Sequence, residues 1–533
     1  MTSVSTQAID FASLHRAELV DDGGRRLDAL LLVTADIASA VADAVRQGYA
    51  VMPAGGLTSA IGSFDYAPDR VAGFRDVVAV RPKGALAAEI IDPATPPHLL
   101  ASHQVAIDAE RGLVAAGAGL TFAQVDAALA EVLGPGARVM VDLTSVGSAY
   151  VGGVVATGGM GPLRLRPSAT LEAVVVADGG EPRLVGGDAI DTVEGMQGWT
   201  GMVAAAVLRF FRVPANEFGL VLPIQGSDVD TMAGLLAYIE PWTRIALPAA
   251  GAGLDGETVV NGIELVSRDS LEAFIAQAQE PARTKAQGLL QSCEYAGADM
   301  LACLTGWSGL SVDDVLFSLM DPETETIGGV TIEFGVGFSS GAEMDTFRAI
   351  REAAPDLART RARVQPEGRL KPWTASTDVN VRAPAETGTI ADILGAYAEY
   401  RETIGALASR FAGSVDVEIS AYGHLSPHGI DPHHRVTLFA DAGKDEALDA
   451  ARKEVVAAKQ ALVRALLQAA ERGGAEVDGG EKGMPSLLEI ARAAGGTSHL
   501  PDGLRARFAR ARASVMAAPA AFSFRAPPEM REA

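Results

Sequence analysis

Four of the chain's eight histidines stand within one short stretch, AYGHLSPHGIDPHHRV, as His424, His428, His433 and His434. Imidazole changes charge near neutral pH and is a common metal ligand, so such a concentration at the end of a strand supplies either a general base or a metal site. A solvated loop rich in proline and histidine is the plain alternative. A second kind of chemistry is suggested by glycine. VMPAGGLTSAIGSFD, residues 51–65, turns on Gly55 and Gly56; VMVDLTSVGSAYVGGVVATGGMGPLRLRP, residues 139–167, carries Gly147, Gly152 and Gly153; GMQGWTGMVAAAVLRFFRVP, residues 195–214, carries Gly198 and Gly201 before an apolar strand. Loops almost free of bulky side chains present backbone N–H groups to a large anion, and a pyrophosphate is the natural occupant of the space between them. Taken singly, each loop reads equally well as a tight turn.

The elements that must hold these residues follow from periodicity. ALLLVTA reads as a strand, DIASAVADAVRQG as a helix capped by Asp36 and ended by Gly48, and YAVMPAGG as a strand running into the first glycine turn. GLVAAGAG and LTFAQVDAALAEVLGPG repeat strand then helix, and LEAVVVADGG reads as a hairpin strand. The segment Gly117 to Phe122 lacks the third glycine of a dinucleotide-binding fingerprint and reads as an ordinary strand-to-helix turn. Beyond Pro214 the strands EFGLVLPIQG, NGIELVS, DMLACLTGWSG and GVTIEFGVGF are separated by helical stretches such as SDVDTMAGLLAYI and SVDDVLFSLM, STDVNVRAP and SVDVEISAYGH continue the layer, and long helices close the chain. Together these imply an α+β protein.

Composition bounds the partners. With 533 residues the chain exceeds a single core. A net charge of −23 argues against duplex nucleic acid or anionic lipid as a general partner. Cys293 and Cys303, the only cysteines, form no CxxC pair, which fits a reduced cytoplasm, and no apolar run is long enough to span a membrane.

In these three glycine segments and their order the chain resembles the flavoproteins that share the fold of vanillyl-alcohol oxidase and p-cresol methylhydroxylase. Pro53-Ala54-Gly55-Gly56-Leu57-Thr58-Ser59 is similar to their P-x-G-G-G-[ST] loop, with Leu57 at the third glycine. Asp142, Leu143, Thr144, Gly147 and Ser148, followed by Gly152, Gly153, Ala156 and Thr157, resemble their second segment, and Gly198 to Val203, with Gly201, their third. The resemblance implies a two-part FAD-binding domain over residues 1–213, an antiparallel-sheet substrate (cap) domain over 214–490, and a helical segment, 491–533, packing back on the first. It implies Pro53 to Ser59 around the FAD pyrophosphate, Asp142 to Gly153 beside the ribityl chain and isoalloxazine, and Thr200 to Val203 near the adenine side or ribityl chain. Because no histidine lies between His103 and His424, the FAD is expected to be non-covalent.

The second half resembles the branch that dehydrogenates D-lactate, glycolate or D-2-hydroxyglutarate. His424 matches the first histidine of that branch's G-H-x-x-D-G-N-x-H segment and His433 or His434 its second, while Glu481 and Lys482 occupy the place of its E-H pair. The resemblance implies a divalent metal, Zn or Mn, on His424, His433 or His434, and Glu481, a base in His424 or Lys482, and Arg351 as the grip on a substrate carboxylate. Asp378-Val379-Asn380-Val381-Arg382 stands where that branch has its D-[VL]-[SA]-[VL]-P strand. The activity implied is oxidation of a D-2-hydroxy acid or related secondary alcohol. Alternatives are a bulkier aromatic or apolar alcohol, with Trp373 and Tyr422 nearby, and a non-redox transferase with flavin as template, as in the ether-lipid synthase branch of the fold. The expected partners are a small-molecule substrate, an electron acceptor the sequence does not identify, and a second copy of the chain.

Overall fold

A computed structural model describes residues 9–531 except 21–25, 57–67, 142, 144–145, 215, 225–228, 240–246, 255–257, 281, 299, 320–325, 328–329, 332–335, 340, 352–367, 369, 371, 383–386, 427–428 and 481–482. The first half contains the expected strand, helix and strand, Arg26–Thr34, Ile37–Arg46 and Ala50–Pro53. Ile37, Ala40, Val41 and Ala44 are buried along one helical face. Asp36 caps the helix by accepting from the Ser39 amide at 3.0 Å, a bond worth about 1 kcal/mol. Ala50–Pro53 and Arg26–Thr34 both pair in parallel with Val77–Pro82, in a four-stranded sheet completed by Arg16–Val20. The first glycine turn leaves this sheet directly at Pro53.

A six-stranded sheet follows, in the order Arg183–Gly186, Leu171–Ala177, Met202–Arg209, Leu113–Gly117, Gln104–Asp108, Glu89–Ile91. The Gly117–Phe122 turn is the simple strand-to-helix connection expected: Thr121 and Gln124 form a capping box for the helix Phe122–Leu133. Glycine is needed there because a Cβ on Gly117 would meet the Ser102 carbonyl carbon at 2.6 Å.

The second half is built on a nine-stranded sheet. Its path runs Val336–Phe338, Asn216–Ile224, Met300–Ser308, Thr258–Ser267, Asp416–Ser426, Gly429–Phe439, Asn380–Val381, Val477–Asp478, with Trp373–Ser376 pairing beside Gly429–Phe439. The helices Val229–Ile239, Thr387–Phe411 and Asp445–Arg472 belong with one face of the sheet, where Ile263, Leu265, Leu425, Ile430, Val436 and Leu438 enter the largest apolar core. On the other face, Val221, Val266, Leu301 and Cys303 pack with the helices Arg268–Gln277, Ala282–Ala296 and 341–351. A further apolar cluster, with Met140, Leu163 and Phe211 from the first half and Val259 and Trp307 from the sheet, joins the two halves.

Two elements differ from the sequence reading. The histidine stretch does not trail off a strand end: Asp416–Ser426 and Gly429–Phe439 form an antiparallel hairpin, with Gly423 opposite Pro432. The 25-residue helix Thr387–Phe411 has no counterpart among the expected elements. Within GVTIEFGVGF, Val330–Thr331 and Val336–Phe338 are strands, and 329 and 332–335 lie outside the described residues. At the C-terminus, the helix Asp502–Ala517 lies against Gly187–Thr192, and Ala520–Ser523 lies against Ala50–Pro53.

Candidate active site

The register of three neighbouring strands assembles a polar group on one face of the large sheet. Glu264 lies opposite His424, and His424 opposite Asp431. Cross-strand partners share a face and alternate residues of a strand return to it, so Glu264, His424, Asp431 and His433 stand together. All four are buried. The His424 and His433 rings meet edge to face, 5.2 Å between centroids. His433 Nδ1 lies 3.3 Å from the Thr377 carbonyl oxygen. A carbonyl only accepts, which assigns the proton to Nδ1 and leaves Nε2 toward Asp431, 3.6 Å away.

His434 has the opposite fate. One residue further along the strand, it points to the helical side and stacks on Tyr397 at 4.8 Å, with Tyr400 edge-on at 6.3 Å. Arg401 Nη1 donates to its Nε2 at 3.3 Å. Burial, with the Arg401 charge next, drives its pKa down to about 3. Of the two histidines weighed as a second partner for His424, the structure brings only His433 to it.

Arg351 is also placed differently from a substrate clamp. It is buried, and its Nε donates to Glu264 at 2.7 Å. Its partner is a strand carboxylate beside His424 rather than a helix neighbour. A second buried arginine, not singled out from the sequence, reaches the cluster from the first half: Arg164 ion-pairs with Asp431 and its Nε donates to Asn380 Oδ1 at 3.3 Å. Arg164 has φ +59°, an uncommon backbone state for a side-chain-bearing residue. Asp378, at the cluster's far side, accepts from Ser486 Oγ at 2.6 Å. One ligand-type atom from each of Asp378, Asp431 and His433 lies within 4.8 Å of the others, the one such grouping among the described residues.

The segment bearing Arg164 connects this cluster to the glycine turns. Ser426 Oγ donates to the Leu163 carbonyl at 3.0 Å, and a Cβ on Gly262, φ +132°, would lie 2.5 Å from the Pro162 oxygen. Upstream is the glycine-bearing helix Val151–Thr157. A Cβ on Gly55 would be 3.7 Å from Gly153 Cα, so the first two glycine turns face each other, whereas Cβ atoms on Gly147 and Gly153 would meet nothing within 4 Å. The third turn abuts the first, since a Cβ on Gly198, φ +70°, would be 2.9 Å from Pro53 Cγ. Gly201 has φ +138°. Gly152 serves packing, its Cβ position being 2.7 Å from that of Ala118. Ala54, Leu143 and Val203 are buried in apolar cores, Ala156 packs against the second of these, and the Thr157 hydroxyl donates to the Gly153 carbonyl at 2.9 Å. Ser148 is exposed. Leu57, Thr58, Ser59, Asp142, Thr144, His428, Glu481 and Lys482 lie outside the described residues. The flanks of the last pair are described: Gly480 packs on Asp378, and Gly483 would place a Cβ 2.5 Å from Gly195 Cα and 2.8 Å from the Thr157 carbonyl.

With this geometry in place, comparison with known proteins is informative at one level. No protein-family model and no curated protein matches the chain. Solved structures do. One crystal structure of alkyldihydroxyacetonephosphate synthase superposes with a TM-score of 0.54 at 13% identity, covering 85% of this chain and 72% of that one. Another crystal form gives 0.50 at 12% identity, with 85% and 73% covered. At such identities the likeness is one of fold. The fold is the α+β architecture of the vanillyl-alcohol oxidase and p-cresol methylhydroxylase type, with an antiparallel-sheet second part. Among the described residues no helix is long and apolar enough to cross a membrane.

Proposed function

We propose that the chain is an FAD-dependent enzyme that oxidises a secondary alcohol, with residues 1–213 holding the cofactor non-covalently, 214–490 the substrate, and 491–533 returning to the cofactor side. The observation that carries this reading is that one short segment, 162–164, which follows closely in sequence on the glycine-bearing helix Val151–Thr157, contacts the strands that hold the buried histidine pair. Gly147 and Gly153, whose Cβ positions face open space, and Gly201, with φ +138°, fit a bulky anionic cofactor, and Gly55 faces Gly153 across the same turns. Bound FAD would supply the hydride acceptor.

The chain's own residues handle the proton. His424 accepts the substrate hydroxyl proton, and His433, oriented by the Thr377 carbonyl, holds the ring of His424 edge-on. Arg164 offsets the Asp431 charge and Arg351 that of Glu264. Arg164 and Arg351 are thus each engaged by a carboxylate rather than held ready for a substrate carboxylate, which favours an uncharged secondary alcohol over the D-2-hydroxy acid. In the metal form of this reading, Asp378, Asp431 and His433 replace the ligand set of His424, His434 and Glu481, and Zn or Mn suits their donors. Arg164 already supplies positive charge at Asp431, so chelator is expected to leave turnover unchanged.

A second reading, a non-redox transfer templated by flavin, is favoured by the name of the structural neighbours, alkyldihydroxyacetonephosphate synthase. Anaerobic flavin reduction by a panel of secondary alcohols, aryl alcohols and hydroxy acids separates the two. Bleaching by a secondary alcohol, lowered about 10²-fold in His424→Ala with flavin content intact, is the expected result. A flavin that no alcohol bleaches sinks the oxidative reading and leaves the transferase.

A further inference from the structure

Near the C-terminus, the turn after Ala520–Ser523 carries a buried arginine to the glycine turns of the first half. Arg525 is 4% exposed, and its Nη2 donates to the Gln197 carbonyl at 2.9 Å. Gln197, φ +55°, and Gly198, φ +70°, form a left-handed pair that brings this carbonyl and the following backbone around the guanidinium. A Cβ on Gly198 would stand 3.1 Å from Arg525 Nη2 and 2.9 Å from Pro53 Cγ. The guanidinium tip thus lies at the meeting point of the Pro53–Gly56 and Gln197–Gly201 turns. Its position is fixed from both sides in sequence: Arg70 Nη1 donates to the carbonyls of Phe524, at 3.4 Å, and Ala526, at 2.8 Å. Phe524 is buried beside Phe74, 6.0 Å between ring centroids.

We infer that Arg525 is a cofactor-binding residue, delivering a guanidinium from the C-terminal turn to the pyrophosphate of FAD where the first and third glycine turns meet. The inference rests on the FAD reading above and adds a ligand that none of the glycine motifs contains. Planar guanidinium matches phosphate oxygens with paired donors, and backbone N–H groups of the turns complete the shell. Burial alone draws the Arg525 pKa down to about 9. A neighbouring polyanion would reverse that shift, so cofactor binding and the charged form of Arg525 support each other.

The test uses the full-length protein stripped of flavin. FAD affinity is measured by flavin fluorescence, and the melting temperature is measured without flavin, for wild type, Arg525→Met and Arg525→Lys. The expected result is a dissociation constant for FAD raised about 10- to 100-fold in Arg525→Met, the scale of a lost charge-assisted contact, with a flavin-free melting temperature equal to wild type. Arg525→Lys, which keeps the charge and loses the fork, falls between them, and it carries the comparison if Arg525→Met does not fold. Wild-type affinity in both variants overturns the assignment while leaving FAD binding in place. Affinity that falls only in step with the flavin-free melting temperature in both variants also overturns it, making Arg525 a strut for the Gln197 turn. A wild-type chain that binds no FAD removes the cofactor reading and this assignment together.

Discussion

His433 and His434 adjoin in sequence and belong to different chemical worlds. The strand's alternation sends one to the polar cluster and the other into an aromatic stack, where it stays neutral. The sign of its effect on stability follows. A base whose folded pKa is depressed, here to about 3 from an ordinary 6.5, contributes stability that is present above 6.5 and is lost as pH falls toward 3. His434→Phe keeps a ring against Tyr397 without a titrating group. Its melting temperature should therefore decline less than wild type between pH 6.5 and 4, with flavin reduction unaffected at pH 7; a parallel decline removes His434 as the source. The concentration of histidines was legible in the sequence, but their sorting was not. Pro432 lacks a donor N–H and usually argues against a strand interior, so the sequence shows no second strand over Gly429–Phe439. Without that strand, Asp431 and His433 could not be seen as residues of one face. Arg164 and Glu264 were invisible for a related reason, since each becomes a site residue only through partners far away in sequence.

At the scale of elements, the helix Val151–Thr157 sets two adjacent glycines to different tasks. Gly152 faces Ala118 with no room for a side chain, while the Cβ position of Gly153 is open. Gly152→Leu should therefore lower thermal stability through overpacking, by about 1–3 kcal/mol or more. Gly153→Leu should fold with at least wild-type stability, because leucine suits a helix better than glycine, and should bind little flavin. Purified yields, melting curves and flavin-to-protein absorbance ratios check both. Full flavin occupancy in Gly153→Leu would mean that the space belongs to something else. These turns were the most legible part of the chain, because a glycine pair after a strand is a local signal. The long helix Thr387–Phe411 was the least legible, its partners being supplied by the sheet and by Asp445–Arg472.

For the molecule as a whole, one buried carboxylate holds three regions together. Asp478, at the sheet's edge, accepts from Arg166 Nε of the first half at 2.5 Å and from Arg507 Nη1 of the C-terminal helix at 2.9 Å. The Arg166 charge, with a hydrogen bond from the same group and the Arg507 charge, holds its carboxyl well below the ordinary range despite burial. A carboxylate with a depressed folded pKa contributes stability above its unfolded value of 3.8 and loses it as pH falls through the folded one. Asp478→Asn leaves two largely buried guanidinium groups facing each other and should cost about 3–5 kcal/mol. Equilibrium denaturation at pH 7 measures this, and a loss below about 1 kcal/mol would show that the arginines find other partners.

The pairing of Glu264 with His424 also bears on time. Thr258–Ser267 and Asp416–Ser426 are neighbours in the sheet, yet the helices Ala282–Ala296 and Thr387–Phe411 and the strand Met300–Ser308 are all threaded between them in sequence. Closing so long a loop is entropically demanding, and pairings of this kind slow folding. Hairpins and helices form locally in microseconds, whereas the histidine pair and its carboxylates converge only when these distant strands dock. A chain diluted from denaturant should recover its helical circular dichroism well before it recovers substrate-driven flavin reduction, and for that interval it would be an ordered protein without an active site.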